Sequence, residues 1–321
     1  MGQVIRLQES PRTTDLPACV TAFLNFSRSK NLAAETLAYY AGRLRAFARF
    51  TDLHCPDATP GDITPGIVRE FITWVRESSS PATANHSLAV LKRFFGFLYD
   101  EGFVASNPAA NVQKQREQKR VIDTFSRDQV EAILRACGRD FYGARDRAII
   151  LTLLDCGLRA SELCGLTLDA VDWSEQTFRV IGKGGKERIV PFGSGVRQSL
   201  SAYLAKRGEK LETFCLFVTH YGEPLDRYRL RDVIVRRCAE AGVTGLRCSP
   251  HTLRHTCAVS YLRAGGDTFT LQNLLGHVSQ EMTRRYCESL TADDVQAKHR
   301  EYSPVDNMKG IGPKDGRRRL R

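Results

Sequence analysis

The stretch Thr177-Phe-Arg-Val-Ile181, then Gly182-Lys-Gly-Gly-Lys-Glu187, then Arg188-Ile-Val-Pro-Phe192 decides how the chain folds. Two runs rich in β-branched and aromatic residues flank a glycine-rich turn, which predicts a β-hairpin. No other part of the sequence carries so strong a strand signal. Leu216-Phe-Val218 is a candidate third strand, with residues before Trp173 as its neighbour. On both sides of the hairpin the pattern turns helical. The predicted class is therefore mainly α with a small antiparallel β-sheet, preceded by an all-α N-terminal bundle.

Upstream, residues 14–29 open the bundle. Leu37, Tyr40, Leu44, Phe47 and Phe50 then recur at helical spacing. Thr64-Pro65 and Ser80-Pro81 each pair a capping side chain with a first-turn proline, a helix-start signal. The second of these helices carries Leu88, Leu91, Phe94, Phe95 and Leu98 and ends at Gly102. These aromatic stripes read as core. Residues 14–103 thus form one helical domain. Residues 104–122, with Asn107-Pro108 and Lys114, Arg116, Lys119 and Arg120, read as a basic linker. A second domain, 123–303, begins with the capping box Ser126-x-x-Gln129. Residues 304–321 form a basic tail read as disordered.

The 321 residues carry a net charge of +11, which points to a polyanionic partner such as nucleic acid. Residues 1–103 are nearly balanced, whereas Lys and Arg dominate the linker and the tail. The apolar run Ala148–Leu154 is far shorter than the roughly 20 residues a membrane span needs, and no secretory leader opens the chain, so a cytoplasmic protein is expected. Ten scattered cysteines suggest no disulfide framework. Cys248-x2-His251-x3-His255-x-Cys257 superficially resembles a zinc site, but a helix beginning near His251 turns His255 and Cys257 in different directions, so no metal is expected.

Cutting DNA without a metal requires fixed cations to meet the charge that builds on the phosphoryl oxygens, and arginine's planar fork suits that task. It also needs a base for the attacking group and an acid for the leaving oxygen. The second domain offers such groups in short segments. Arg159 lies in Asp155-Cys-Gly-Leu-Arg-Ala-Ser-Glu-Leu163, at a helix start that suits anions, although Glu162 is also a ready partner for it. Lys183 occupies the hairpin turn, whose glycines do not make a nucleotide-binding loop. His251-Thr-Leu-Arg254 places two side chains on one helix face, His277 follows the helix-ending Gly276, and Tyr286 stands nine residues further on.

Singly these residues say little. In order, Arg159, Lys183, His251, Arg254, His277 and Tyr286 resemble the active-site set of the tyrosine recombinase or phage integrase family. The motifs around them (Gly-Leu-Arg-x-Ser-Glu-Leu, Gly-Lys-Gly-x-Lys-Glu-Arg, His-x-Leu-Arg-His-Thr and Leu-Gly-His) are similar too, in a Xer-like layout. The N-terminal bundle looks like that family's core-binding domain. The resemblance implies a site-specific recombinase or integrase working without metal, ATP or other cofactor, through a 3′-phosphotyrosyl bond and a Holliday junction. Arg159, Arg254 and His277 would hold the scissile phosphate, and His251 would help deprotonate Tyr286, whose ordinary pKa of about 10 makes it a poor nucleophile. Neighbouring arginines would lower that pKa. Lys183 would protonate the leaving 5′ oxygen. The implied partners are double-stranded DNA bearing a recombination site, held in a two-domain clamp, and three further subunits in a tetramer, with a paralogous recombinase or accessory proteins as further candidates.

In the bundle, Arg43, Arg45, Lys92 and Arg93 are candidate DNA contacts; Thr291–Tyr302 reads as an amphipathic helix, which the resemblance implies docks onto a neighbouring subunit. Asp155-Cys156 and Cys287 depart from the commoner residues of the family without removing a catalytic group. His255 is assigned to packing or support of the site. Two alternative readings are a type IB topoisomerase and a catalytically inactive DNA-binding protein. Relaxation at no preferred site would favour the former, and a missing catalytic group the latter.

Overall fold

A computed structural model describes residues 15–117, 122–182, 185–208, 213–276 and 280–303. The chain divides into two compact units, residues 1–119 and 120–321. Among the described residues, no helix is long and apolar enough to cross a membrane.

The first unit contains α1 (Leu16–Ser29), α2 (Ala34–His54), α3 (Pro65–Ser78) and α4 (Pro81–Asp100). The two expected proline starts are present: Thr64 Oγ1 accepts the Ile67 N–H at 3.3 Å and Ser80 Oγ accepts the Thr83 N–H at 3.2 Å. Phe47, Phe71, Phe94 and Phe95 are fully buried, and Phe47 meets Phe71 edge-on with centroids 5.1 Å apart. Such rings supply most of the apolar area a small bundle can bury. The stretch read as a linker is partly packed chain: Val104, Ala109 and Val112 join the bundle core. Asn85 receives the Gln115 N–H at 2.7 Å and donates to the Gln115 carbonyl at 2.9 Å, tying residues through 115 to α4.

The second unit is built around α6 (Phe141–Cys156), which is buried on nearly all sides and packs against α8 (Ser194–Arg207) and α10 (Pro250–Arg263). Before it, α5 (Arg127–Ala136) starts at the expected capping box, with Ser126 and Gln129 reciprocally bonded. α6 is linked to α9 (Arg227–Glu240) by a buried ionic hub: Asp146, fully buried, receives Arg145 at 2.8 Å, Arg236 at 2.9 Å and Arg237 at 2.8 Å.

The hairpin forms as read, β2 (Thr177–Ile181) against β3 (Glu187–Pro191), with Phe178 opposite Val190 and Val180 opposite Arg188. Phe178, Val180 and Val190 face the core, while Ile181 and Ile189 are exposed. The third strand comes from the residues before Trp173, as expected, and not from Leu216-Phe-Val218. It is β1 (Val171–Asp172), antiparallel to β2. Leu216, Phe217 and Val218 are fully buried but lie outside the sheet, meeting the chain through isolated bridges from Cys215 to Thr167 and from Val218 to Pro224. Their apolar run reflects burial, not strand pairing.

Towards its end the unit has α11 (Thr268–Leu275), α12 (Gln280–Cys287) and α13 (Ala292–Tyr302). A small core of Ala258, Val259, Leu262, Leu271, Leu275 and Tyr286 joins α10, α11 and α12.

Candidate active site

The site grows from two helix ends. α6 stops at Gly157, which is in the left-handed region with φ +58°; a Cβ there would lie 2.5 Å from Leu275 Cδ2. The chain then turns into α7 (Ala160–Cys164), with Arg159 as N-cap. Glu162 reaches back to cap this turn, accepting the Arg159 N–H at 2.8 Å and Arg159 Nη1 at 2.7 Å. The same buried carboxylate receives a bidentate pair from Arg188 of β3, at 2.8 and 2.9 Å. Burial pushes the Glu162 carboxyl up, but the Arg188 and Arg159 hydrogen bonds and charge outweigh it and hold the pKa at about 2.

The second end is that of α11, closed by Gly276 at φ +63°. A helix C-terminus leaves carbonyls without intrahelical donors and carries partial negative charge. Here three successive carbonyls each receive an arginine. Leu274 O accepts Arg188 Nε at 3.3 Å, Leu275 O accepts Arg254 Nη2 at 2.9 Å, and Gly276 O accepts Arg159 Nη2 at 2.9 Å. A Cβ on Gly276 would approach Arg188 Cζ to 2.8 Å, so a larger residue would displace the Arg188 guanidinium, and at a backbone angle that favours glycine. Arg254 also donates to the Gly157 carbonyl. A guanidinium has five N–H donors, so these carbonyls orient Arg159 and Arg254 without exhausting them.

α10 presents the remaining groups. Ser249 caps it by accepting the Thr252 N–H at 3.2 Å, and Pro250 occupies its first turn. Arg254 is buried, and burial together with the charge of Arg159 pushes its pKa down. His251 is exposed at the helix start; partial burial, then Arg254, Arg247 and Arg159, push its imidazole down. Tyr286, on α12, is only 5% exposed. Its hydroxyl lies 3.1 Å from His255 Nδ1 and stands beside the Arg254 guanidinium. The sequence expectation was that arginines lower the Tyr286 pKa. Arg254 and Arg159 do pull that way, but burial outweighs them and the phenol is raised above its ordinary value.

Arg159, Arg254, His251 and Tyr286 are thus brought to one region. Lys183 and His277 lie outside the described residues. Gly182, just before Lys183, borders the site: a Cβ there would lie 3.6 Å from Arg188 Nη1 and 3.8 Å from Glu162 Oε1. Arg188 was not among the expected site residues; Glu162, read as a ready partner of Arg159, is an anchor shared with Arg188, and His255, read as packing or support, is the ring on the phenol. Arg188 and Glu162 stand inside the motifs quoted from the sequence, but only the tertiary packing shows what they touch. In the Cys248–Cys257 segment, Cys257 Sγ donates to the Asp155 carbonyl at 3.5 Å, His255 faces Tyr286, and Cys248 contacts Cys238. Among the described residues, no group of metal-ligating side chains converges.

Residues 123–292 match the Phage integrase family and residues 20–102 the Phage integrase, N-terminal SAM-like domain. The chain is 34% identical over 265 residues to the tyrosine recombinase XerC of Pelobacter propionicus, covering 82% of this chain and 87% of that protein. It is 33% identical over 277 residues to the XerC of Thermodesulfovibrio yellowstonii, covering 83% and 90%. Among solved structures, the XerH site-specific recombinase bound to a palindromic difH substrate aligns with TM-score 0.75 at 18% identity, over 95% of this chain and 99% of that one. A lambda integrase tetramer bound to a Holliday junction aligns with TM-score 0.70 at 21% identity, over 84% and 76%. With both units matched and the arginine-lined tyrosine in place, the chain belongs to the phage integrase family and is a Xer-like tyrosine recombinase, a DNA strand-exchange enzyme.

Proposed function

We propose that Tyr286 is the nucleophile with which this recombinase opens a specific DNA site, leaving its phenolic oxygen joined to the 3′ phosphate and freeing a 5′ hydroxyl. The observation that carries the reading is the Tyr286 hydroxyl, buried against Arg254 and within the arginine set held by the end of α11. Arg159 and Arg254 grip the non-bridging oxygens of the scissile phosphate, each keeping N–H donors beyond those given to backbone carbonyls. Arg188 and Glu162 hold Arg159 in place. His251 is exposed at the start of α10, and we assign it to the side of the site that receives DNA. Lys183 and His277 are assigned to leaving-group protonation and phosphate binding by resemblance alone. The phosphotyrosyl bond conserves the energy of the broken phosphodiester, so rejoining requires no nucleotide hydrolysis and no resident cofactor.

A 5′ hydroxyl from a second duplex then attacks, giving a Holliday junction on a homotetramer bound to two sites. Xer and lambda relatives solved on a recombination site and on a Holliday junction support this assembly. We assign α13 to the contact between subunits. None of its side chains is buried, and Val295 and Tyr302 expose apolar surface. In the bundle, Arg45 is exposed and available for DNA phosphates, while Lys92 donates to the Ala110 carbonyl at 2.9 Å and Arg93 to the Tyr40 hydroxyl. The reaction is placed in the cytoplasm, beside the DNA it acts on. The test is a nicked suicide substrate carrying the site: wild type becomes covalently attached and Tyr286→Phe does not. Attachment by the Phe variant overturns the assignment, and relaxation of supercoiled DNA at no preferred site points to a topoisomerase instead.

A further inference from the structure

We propose that His255, not His251, takes the proton from Tyr286 during cleavage and returns it during rejoining. The proposal rests on the reading of Tyr286 as nucleophile and adds the group that makes it one.

The geometry is direct. His255 Nδ1 stands 3.1 Å from the Tyr286 hydroxyl, within the reach a general base needs. The two rings are 5.5 Å apart between centroids. His251 lies one helical turn earlier on α10, with its ring 6.4 Å from that of His255, and is exposed. One face of α10 therefore offers two imidazoles, and the inner one meets the nucleophile. Tyr286 needs such help, because burial raises its pKa.

The surroundings decide the protonation state of His255. It is faced by His251 and Arg254 from its own helix, by Arg285 and Tyr286 from α12, and by Asp123 from the segment before α5. Burial first, then the positive neighbours, pull its imidazole down to about 4, with Asp123 opposing. At neutral pH the ring is uncharged, and its tautomer with the hydrogen on Nε2 accepts a proton at Nδ1. A DNA phosphate seated on Arg254 would cancel part of the charge that depresses the ring, and Asp123 would balance the imidazolium once formed. The base thus strengthens when substrate arrives.

In cleavage the Oη–H bond of Tyr286 breaks and its proton passes to Nδ1. The oxygen's electron pair forms the O–P bond. The P–O5′ bond breaks with its pair on O5′, which takes a proton from the acid assigned to Lys183. In rejoining, a 5′ hydroxyl attacks phosphorus, its proton passes to that acid, the P–Oη bond breaks, and Nδ1–H reprotonates Oη.

The test is single-turnover cleavage of the nicked suicide substrate across pH by wild type, His255→Asn, His251→Asn and Tyr286→Phe. Thermal melting and DNA binding report whether each variant is folded. Asparagine can keep an acceptor near the Nδ1 position but is not a base, so a role limited to positioning the phenol would survive the change. The expected result for His255→Asn is a loss of about 10²–10⁴-fold at neutral pH. Its rate should then climb about tenfold per pH unit into the alkaline range, where hydroxide does the base's work. Wild type and His251→Asn should stay flat over that range. Acidifying the phenol with a fluorinated tyrosine at 286 should restore the Asn variant's rate and leave wild type much less changed. The proposal is overturned if His255→Asn keeps a flat profile near the wild-type rate, if His251→Asn acquires the slope, or if the fluorinated tyrosine affects both proteins equally. Covalent attachment by Tyr286→Phe would instead overturn the parent reading.

Discussion

Replacing Glu162 by glutamine should cost this enzyme both stability and cleavage, and the structure sets the size. The residue is 5% exposed and accepts four hydrogen bonds from Arg159 and Arg188. Its carboxyl is held at about 2 against an ordinary 4.5. At 1.36 kcal/mol per pH unit, that difference corresponds to about 3 kcal/mol favouring the ionised, folded form. Glutamine keeps the shape but not the charge, and leaves two guanidiniums short of a counter-ion. For a unit of this size, about 3 kcal/mol lowers Tm by about 6–12 °C. The sign with pH follows from a depressed folded-state pKa: the contribution is full above 4.5 and disappears as pH falls through about 2. Differential scanning calorimetry of wild type and Glu162→Gln at several pH values reads this directly. The gap in Tm should be widest near neutrality and close as pH drops below 4.5. A gap under about 1 °C at pH 7, or one that does not change with pH, would refute the account of how Arg159 is anchored.

Other perturbations test neighbouring parts. Gly276→Ala forces a Cβ to within 2.8 Å of Arg188 Cζ at a positive φ, so it should destabilise by about 1–3 kcal/mol and slow cleavage, read by urea titration and suicide-substrate kinetics. Asp146→Ala strips the counter-charge from Arg145 and Arg237 in the core and should cost about 3–5 kcal/mol by urea titration, with a loss below about 1 kcal/mol counting against the hub. Ending the chain before Thr291 removes α13 and should leave site binding intact while weakening cooperative assembly in a gel-shift titration; unchanged cooperativity would contradict its assignment.

Much of this was legible in the sequence because the signals were local. Thr64-Pro65, Ser80-Pro81 and Ser126-x-x-Gln129 each mark a helix start through bonds between residues three apart, and all three hold. The hairpin was legible from the alternation of Phe178, Val180 and Val190 around its glycines. What was hidden depends on distant parts of the chain. The two-residue strand Val171–Asp172 was placed only loosely, among the residues before Trp173, and its partner β2 was missed because so short a strand has no periodicity to detect. Leu216–Val218 looks like a strand because it is buried, and an apolar run alone cannot say what it pairs with. The linker's first half was read from Asn107-Pro108 and its charges, yet Val104, Ala109 and Val112 drop into the bundle. Within the site, the motifs supplied Arg159, Arg254 and Tyr286, but not which histidine meets the phenol. That choice depends on how α12 packs on α10, which no spacing along α10 records.

Digestion of the trapped protein–DNA adduct tests most directly whether Tyr286 is the attacking group. Mass spectrometry of the peptides should find the nucleotide on Tyr286, joined through its 3′ phosphate. An adduct on any other residue, or one joined through a 5′ phosphate, would contradict the account.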